Sequence, residues 1–299
     1  METFRGTYTV LVTPFTPDGA AIDVPALEQL VEWQIEQGIH GLIPLGSTGE
    51  FLSMTREERQ LVTETVIRTS RGRVPVLMGT GAEWTRDCIE LSREAEAMGA
   101  DGVMIIPPFY SCPNDDELFT HYRKVGEAIS IPIMIYNNPA TANVDLQPKL
   151  VARLAQIDTV NYIKESTLEV TRVRDIIELC GDKMNVFAGI LGYESFWLGA
   201  CGWIAVASNL LPQLCAQMFE AAVDRQNRDE ALAIYKQIVP VVRAVGGPFY
   251  VSASKAGLDM LGLPVGDPRA PRLPLEASAQ QALRQALDKL GVLNSINMQ

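Results

Sequence analysis

The chain has 299 residues, 47% hydrophobic and 20% charged, the profile of a globular protein able to bury one large core or two ordinary ones. Twenty-five basic against 36 acidic residues leave a net charge of −11, which argues against nucleic acid or an anionic membrane as partner, since both need a basic face. The five cysteines (Cys88, Cys112, Cys180, Cys201 and Cys215) form no C-x-x-C pair. METFRGTYTV has no apolar leader, and the sequence holds no uncharged run of 18 apolar residues, so free thiols in a reducing cytoplasm are expected.

Short apolar runs alternate with helix-period segments from the start. The expected strands are Tyr8–Pro14, Gly41–Leu45, Val74–Gly79, Gly102–Pro107, Ile131–Tyr136, Val160–Lys164, Asn185–Ala188 and Gly202–Ala207. The expected helices between and after them are Pro25–Gln37, Thr55–Ser70, Thr85–Met98, Asp115–Ile129, Gln147–Gln156, Glu169–Leu179, Tyr193–Ala200 and Leu211–Gln226. Runs such as VMII and IPIMIY are continuous rather than alternating, as in a parallel sheet buried on both faces. Thr55 with Glu58 has capping-box spacing, and Gly38, Gly72, Gly99 and Gly181 each follow a helical run, where a left-handed residue closes a helix.

Eight β/α units within residues 1–226 predict a TIM (β/α)8 barrel, the catalytic domain. Residues 227–299 carry no strand pattern and predict a C-terminal helical extension packed on the barrel, with helices at Arg228–Val242, Tyr250–Leu261 and Leu275–Leu290.

In such a barrel the active site lies at the C-terminal ends of the strands. VNYIKEST, Val160 to Thr167, puts a lysine at one of these ends, with Tyr162 and Lys164 on one side of the strand and Ile163 on the other. An amine in a partly apolar site is favoured in its neutral, nucleophilic form, and its natural chemistry is a Schiff base with a carbonyl. A structural lysine paired to Glu165 or another carboxylate is the competing reading, and the lysine taken alone does not separate the two.

Other strand ends add to the first reading. YNNP sets Tyr136 at a rim, where a phenol can shuttle protons. GSTGE, Gly46 to Glu50, can offer backbone N–H groups and the Ser47 and Thr48 hydroxyls to a carboxylate, and it lacks the lysine and spacing of a phosphate-binding P-loop. PPFYSCP supplies Tyr110 as a second phenol. The two histidines, His40 and His121, are isolated from each other and from the cysteines in sequence, so a histidine-held metal or a Ser-His-Asp triad is not expected. His40, just before a strand, reads as a loop or capping residue.

GSTGE, the Y-N-x-P motif and the I-K-E-[ST] motif, in this order, resemble the dihydrodipicolinate synthase/N-acetylneuraminate lyase family of Schiff-base lyases, over nearly the whole chain. The resemblance implies that Lys164 forms an imine with pyruvate or another 2-oxo acid and that Tyr136 donates and accepts the proton beside it. Ser47 and Tyr110 match proton-relay positions, Thr48 holds the 2-oxo acid carboxylate, and Gly189 and Ile204 line the pocket. The counterpart of Tyr110 reaches into a neighbouring subunit, implying a homo-oligomer, a dimer or tetramer. No metal or organic cofactor is implied, because the lysine imine is itself the electron sink.

The sequence departs from the family at the substrate positions. Thr141 stands where dihydrodipicolinate synthases continue Y-N-x-P-x-R with an arginine that binds a substrate carboxylate. Ile190, Leu191 and Gly192 stand where neuraminate lyases carry acidic residues for sugar hydroxyls. With Trp203 and Phe249–Tyr250 these suggest an apolar rim and a smaller or less polar acceptor. The expectation is a lyase or synthase acting on pyruvate or a related 2-oxo acid. A 2-keto-3-deoxy acid aldolase or dehydratase, or a pyrroline-carboxylate deaminase, is the alternative within the family. A non-catalytic 2-oxo acid sensor is the alternative outside enzymes.

Overall fold

The computed structural model describes residues 4–294. The ends of the two expected segments, residues 1–3 and 295–299, lie outside the described residues. Along the chain come β1 (Gly6–Val10), α1 (Val24–Glu36), β2 (Gly41–Ile43), α2 (Arg56–Ser70), β3 (Leu77–Gly79) and α3 (Thr85–Met98). Then follow β4 (Gly102–Ile105), α4 (Asp115–Gly126), β5 (Ile133–Asn137), α5 (Pro139–Ala142) and α6 (Pro148–Leu154). Next are β6 (Val160–Glu165), α7 (Thr171–Cys180), β7 (Asn185–Ala188), α8 (Gly192–Phe196) and β8 (Gly202–Ala205). After β8 the chain is helical: α9 (Pro212–Phe219), α10 (Arg228–Ala244), α11 (Tyr250–Met260) and α12 (Ala277–Lys289).

The eight strands form one sheet in the order β2-β1-β8-β7-β6-β5-β4-β3, a nearly closed TIM barrel with alternating helices, as the apolar runs predict. Most strands run shorter than their apolar patterns because outer residues of the run leave the ladder to enter loops, while β7 has the expected limits and β6 extends one residue past Lys164. Expected and observed helices differ mainly at their ends. α4 stops at Gly126 rather than Ile129, where a Cβ would lie 2.5 Å from the Thr159 hydroxyl. The expected Leu211–Gln226 helix is α9 followed by a π-helical turn, Glu220–Asp224.

By its contacts the chain divides into two compact units, one built from Pro75–Ile204 with the N-terminal residues up to Gly6, the other from Thr7–Val74 and Ala205 onwards. In the first, Gly202 allows close strand packing: a Cβ there would meet the Gly6 carbonyl oxygen at 2.4 Å and the Phe187 ring at 2.3 Å. Tyr162 fills the space beside Phe187, ring centroids 6.2 Å apart, and its hydroxyl accepts from the Phe4 amide at 3.1 Å.

In the second unit, α2 begins on the expected capping box. Thr55 Oγ1 accepts from the Glu58 amide, and Glu58 returns a bond to the Thr55 amide. α10 packs on α9 and α12, and α11 packs on α12, so the three C-terminal helices bury one another's apolar faces. His40 is a structural residue, as expected. Its Nδ1 accepts from the Thr7 amide at 3.0 Å and its Nε2 lies 3.5 Å from Glu220. Among the described residues, no helix is long and apolar enough to cross a membrane. The five cysteines are free thiols, and burial pushes Cys88 and Cys201 up to about 12.

Gly202→Ala overpacks a contact made of backbone and an aromatic ring. It is expected to cost about 1–3 kcal/mol of stability, read as a lower urea midpoint with an unchanged slope. An unshifted midpoint would show that β8 and its neighbours yield without cost.

Candidate active site

β6 carries Lys164 at its C-terminal end because Val160–Glu165 pairs on both sides, with β5 and with β7. Lys164 stands in register with Tyr136 on one side and Phe187 on the other, so the three side chains share a face. Lys164 is 5% exposed and Tyr136 6%. The ammonium nitrogen lies 3.9 Å from the Tyr136 ring centroid, and the Tyr136 hydroxyl accepts from Asn138 Nδ2 at 2.9 Å. An amine and a phenol are thus packed together in a nearly dry place.

The neighbouring carboxylate is not the partner of Lys164. Glu165 points to the opposite face, where its Oε2 accepts from Asn137 Nδ2 at 2.9 Å and its Oε1 from the Thr167 amide at 2.7 Å. Asn137 also bonds Asp145 at 3.2 Å and accepts from the Leu146 amide at 2.9 Å. Asp145 in turn receives both guanidinium nitrogens of the buried Arg172, at 2.5 and 2.8 Å. Burial works to raise Asp145, and the bonds from Arg172 and Asn137 outweigh it, so its carboxyl sits below the usual range. The structural-lysine reading therefore fails for Glu165 in particular: this carboxylate belongs to a network that braces the ends of β5 and β6.

Tyr110 is 87% exposed on the loop after β4, outside the Lys164–Tyr136 pair within one chain. Its loop is clasped by Glu83, which accepts from the amides of Phe109, Tyr110 and Ser111 at 2.9, 3.0 and 2.8 Å. Asn143 Nδ2 donates to the Phe109 carbonyl at 2.8 Å from the other side. Burial works to raise Glu83, and the Ser111 hydroxyl with these amides overcomes it and holds the carboxyl low. Burial pushes the nearby His121 down to about 4, so it stays neutral.

Gly189 follows β7, its amide donating to the Glu165 carbonyl at 2.7 Å, and a Cβ there would overlap the Ser166 hydroxyl. Ile204 is fully buried in β8, on the face of Gly202 and, through Phe187, of Lys164. Trp203 does not belong to an apolar rim. It stands in register with Ala188, and Ala188 with Glu165, on the helix-facing side, where its ring fills the space that Gly192 leaves open. Thr141 is exposed in α5, its hydroxyl donating to the Asn138 carbonyl at 3.3 Å.

The turn Gly46–Glu50 belongs to the other unit. Thr48 is buried and Ser47 half-buried. Thr13 Oγ1 donates to the Gly49 carbonyl at 2.8 Å, and Leu45 and Glu50 both take left-handed backbone conformations, φ 58° and 57°. Non-glycine residues persist there only when their surroundings fix them.

The sequence matches the profile of the dihydrodipicolinate synthetase family over residues 3–290. The chain belongs to this family. It is 36% identical to a 4-hydroxy-tetrahydrodipicolinate synthase of Nitrobacter hamburgensis, with 97% of this chain and 98% of that one covered. Among solved structures, the chloride-inhibited dihydrodipicolinate synthase of Acinetobacter baumannii, complexed with pyruvate, superposes with a TM-score of 0.94 at 33% identity, covering 97% of this chain and 100% of that one. A prophage protein of the dihydrodipicolinic acid synthase family from E. coli K12, also in complex with pyruvate, gives 0.91 at 30% identity, with the same shares covered.

The motifs of the synthase family reveal Lys164 and Tyr136 but not the brace behind them. Asp145 and Arg172 are 27 residues apart and lie outside any motif. The one signal available was the pair of polar residues, Asn137 and Glu165, directly following Tyr136 and Lys164.

The Glu83 clasp has a definite pH sign. Its folded value is lowered, so its contribution is present above the ordinary carboxylate value and lost as pH falls through the lowered one. Hydrogen exchange at the amides of Phe109, Tyr110 and Ser111, corrected for intrinsic rate, should be slow at neutral pH and accelerate on acidification. Glu83→Gln should exchange fast throughout. Equal protection in both proteins would mean that the loop holds itself.

Proposed function

We propose that the chain is a Schiff-base lyase or synthase acting on pyruvate or a related 2-oxo acid. The observation that carries this is the burial of the Lys164 amine against the Tyr136 ring, in a chain of the dihydrodipicolinate synthetase family. The pyruvate complexes of the A. baumannii and E. coli relatives support the choice of 2-oxo acid. The amine nitrogen of Lys164 attacks the keto carbon, and loss of water from the carbinolamine leaves the imine. A proton leaving the adjacent carbon gives an enamine, the carbon nucleophile that joins an acceptor; the reverse sequence cleaves a carbon–carbon bond.

Tyr136 carries the protons of these steps, with its hydroxyl oriented by Asn138. Ser47 and Tyr110 extend the relay, and Thr48 binds the carboxylate of the 2-oxo acid. Gly189 leaves room beside Ser166, and Ile204 supplies an apolar wall on the face of Lys164. No cofactor enters, because the imine accepts the electron pair. We assign residues 1–226 to the catalytic barrel and 227–299 to a helical extension. The exposure of Tyr110 supports a homo-oligomer, a dimer or tetramer, in which a second copy covers this side chain. The acidic charge and free thiols support a cytoplasmic enzyme with no nucleic-acid or membrane partner.

A 2-oxo acid sensor would have no use for a buried amine and phenol in contact. Borohydride reduction in the presence of pyruvate should leave a mass adduct on Lys164, and Lys164→Ala should lose both adduct and turnover. Absence of an adduct on the unmodified protein would favour the sensor. Tyr136→Phe should lower kcat by roughly 10²–10⁴-fold, the worth of general acid–base catalysis; unchanged kinetics would reduce the phenol to packing.

Thr141 bears on the acceptor. A hydroxyl cannot give the two-pronged, charge-assisted contact of an arginine. A hydrogen bond to a charged group contributes about 1.5–3 kcal/mol, so kcat/KM for aspartate semialdehyde should fall roughly 10–150-fold below that of an arginine-bearing synthase. Thr141→Arg should recover part of it. A value of about 10⁴ M⁻¹s⁻¹ or above in the unmodified protein would show that another cation grips the carboxylate.

A further inference from the structure

The GSTGE turn ends in a carboxylate that faces inward. Glu50 has a side chain with 0% exposure, on a backbone held at φ 57°. Its Oε2 accepts from the Arg269 amide at 2.9 Å, and its Oε1 lies 3.1 Å from the ammonium of Lys255, itself only 2% exposed, on α11. Lys255 also donates to the Asp267 carbonyl at 3.1 Å and rests 4.1 Å from the Phe15 ring centroid. Arg269 covers the same ring at 4.2 Å and reaches Glu58 with both terminal nitrogens. The segment following α11 and α11 itself thus hold the last residue of the turn by its side chain, while the Glu50 amide donates to the Ser47 carbonyl at 3.2 Å.

We propose that Lys255 is a positioning residue for 2-oxo acid binding: through Glu50 it fixes the turn that carries Ser47 and Thr48. The proposal rests on the assignment of Thr48 to the substrate carboxylate. A left-handed Glu50 needs surroundings that over-determine it, and the Lys255 ammonium supplies an opposite charge 3.1 Å from Oε1, which has no hydrogen bond of its own among the described residues. Loss of that contact lets the turn relax, and the hydroxyls lose their aim. Removing a remote ion pair that merely stabilises the fold would lower the melting temperature without altering affinity; removing this one changes affinity.

The pair also responds to pH. Burial pushes Lys255 down to about 8, against Glu50 and Asp267, which raise it, and with Arg269, which lowers it further. Below that pH the ammonium holds Glu50. Above it the amine is neutral and the charged contact is gone, so affinity for the 2-oxo acid falls as pH rises through about 8.

The test is the pyruvate concentration giving half-maximal borohydride trapping on Lys164, measured on the full chain from pH 7 to 9. Lys255→Met and Glu50→Gln should each raise it by about tenfold at pH 7, the order expected for a lost charge-assisted bond. The maximal trapped fraction should be unchanged. The double variant should be no worse than either single one, because both break the same contact. Lys255→Arg should stay near the unmodified value at pH 7 and lose the alkaline rise. Glu50→Gln keeps an oxygen for the Arg269 amide and serves if Lys255→Met does not fold. Unchanged half-saturation in folded Glu50→Gln, or an alkaline rise that persists in Lys255→Arg, overturns the proposal. If the unmodified protein traps nothing, the Schiff-base reading fails instead. Calorimetric titration of pyruvate into the unmodified protein and Glu50→Gln then decides the positioning role: weaker binding to the variant upholds it, and equal or absent binding overturns it.

Discussion

One irregularity in the ladder between β5 and β6 decides whether there is a site. Ile133 pairs with Val160, but Met134 pairs with Tyr162, so Asn161 is passed over. Only because of this shift does Tyr136 come opposite Lys164 and Asn137 opposite Glu165. In an unbroken parallel register Tyr136 would face Ile163, and the phenol and amine would stand on opposite sides of the sheet. Bulges of this kind re-aim side chains near active sites. Asn161 is held out of the pairing by its own contacts, its Nδ2 donating to the Asp158 carbonyl at 3.0 Å and its carbonyl accepting from Asn185.

Once the register is set, the two-residue period of a strand builds two layers from two consecutive ladder pairs. Tyr136 and Lys164 form the apolar-walled pair on one face. Asn137 and Glu165 form the hydrogen-bonded brace on the other, extended to Asp145 and Arg172. The sequence Lys-Glu is thus not an ion pair but a division of labour. A flexible amine needs a neighbour on the same strand that does not move, and Glu165, with an Asn137 side chain and a backbone amide on its two oxygens, is such a neighbour.

How much of this was legible follows from the range of the interactions involved. Periodicity and capping are local, so the barrel, the Thr55–Glu58 box and the limits of α3 and β7 could be read directly. Lys164 and Tyr136 could be read because an ammonium in a strand and a phenol at a strand end are each conspicuous against apolar neighbours. The bulge at Asn161 could not, since the residues on either side of it fit a strand in both registers. Trp203 was misjudged for the same reason: the face it occupies depends on pairing with Ala188, not on its own sequence. Arg172 and Lys255 look like ordinary surface charges of helices until their carboxylates, 27 and 205 residues distant in sequence, arrive beside them.

The two buried cations hold their carboxylates with different chemistry. Arg172 makes a bidentate pair, and its guanidinium, held above its ordinary value by Asp145, keeps its charge at any pH the fold survives. The brace behind β5 and β6 is accordingly constant. Lys255 is a point charge whose burial brings it close to losing its proton near neutrality. An arginine at position 255 would hold Glu50 without that weakness, beside the Phe15 ring that the Arg269 guanidinium already covers at 4.2 Å. The Lys255 ammonium meets the Phe15 ring, the Glu50 carboxylate and the Asp267 carbonyl with one nitrogen, as a compact point charge can. A lysine rather than an arginine beside Phe15 is what makes the contact with Glu50 titratable, since burial brings the ammonium down to about 8.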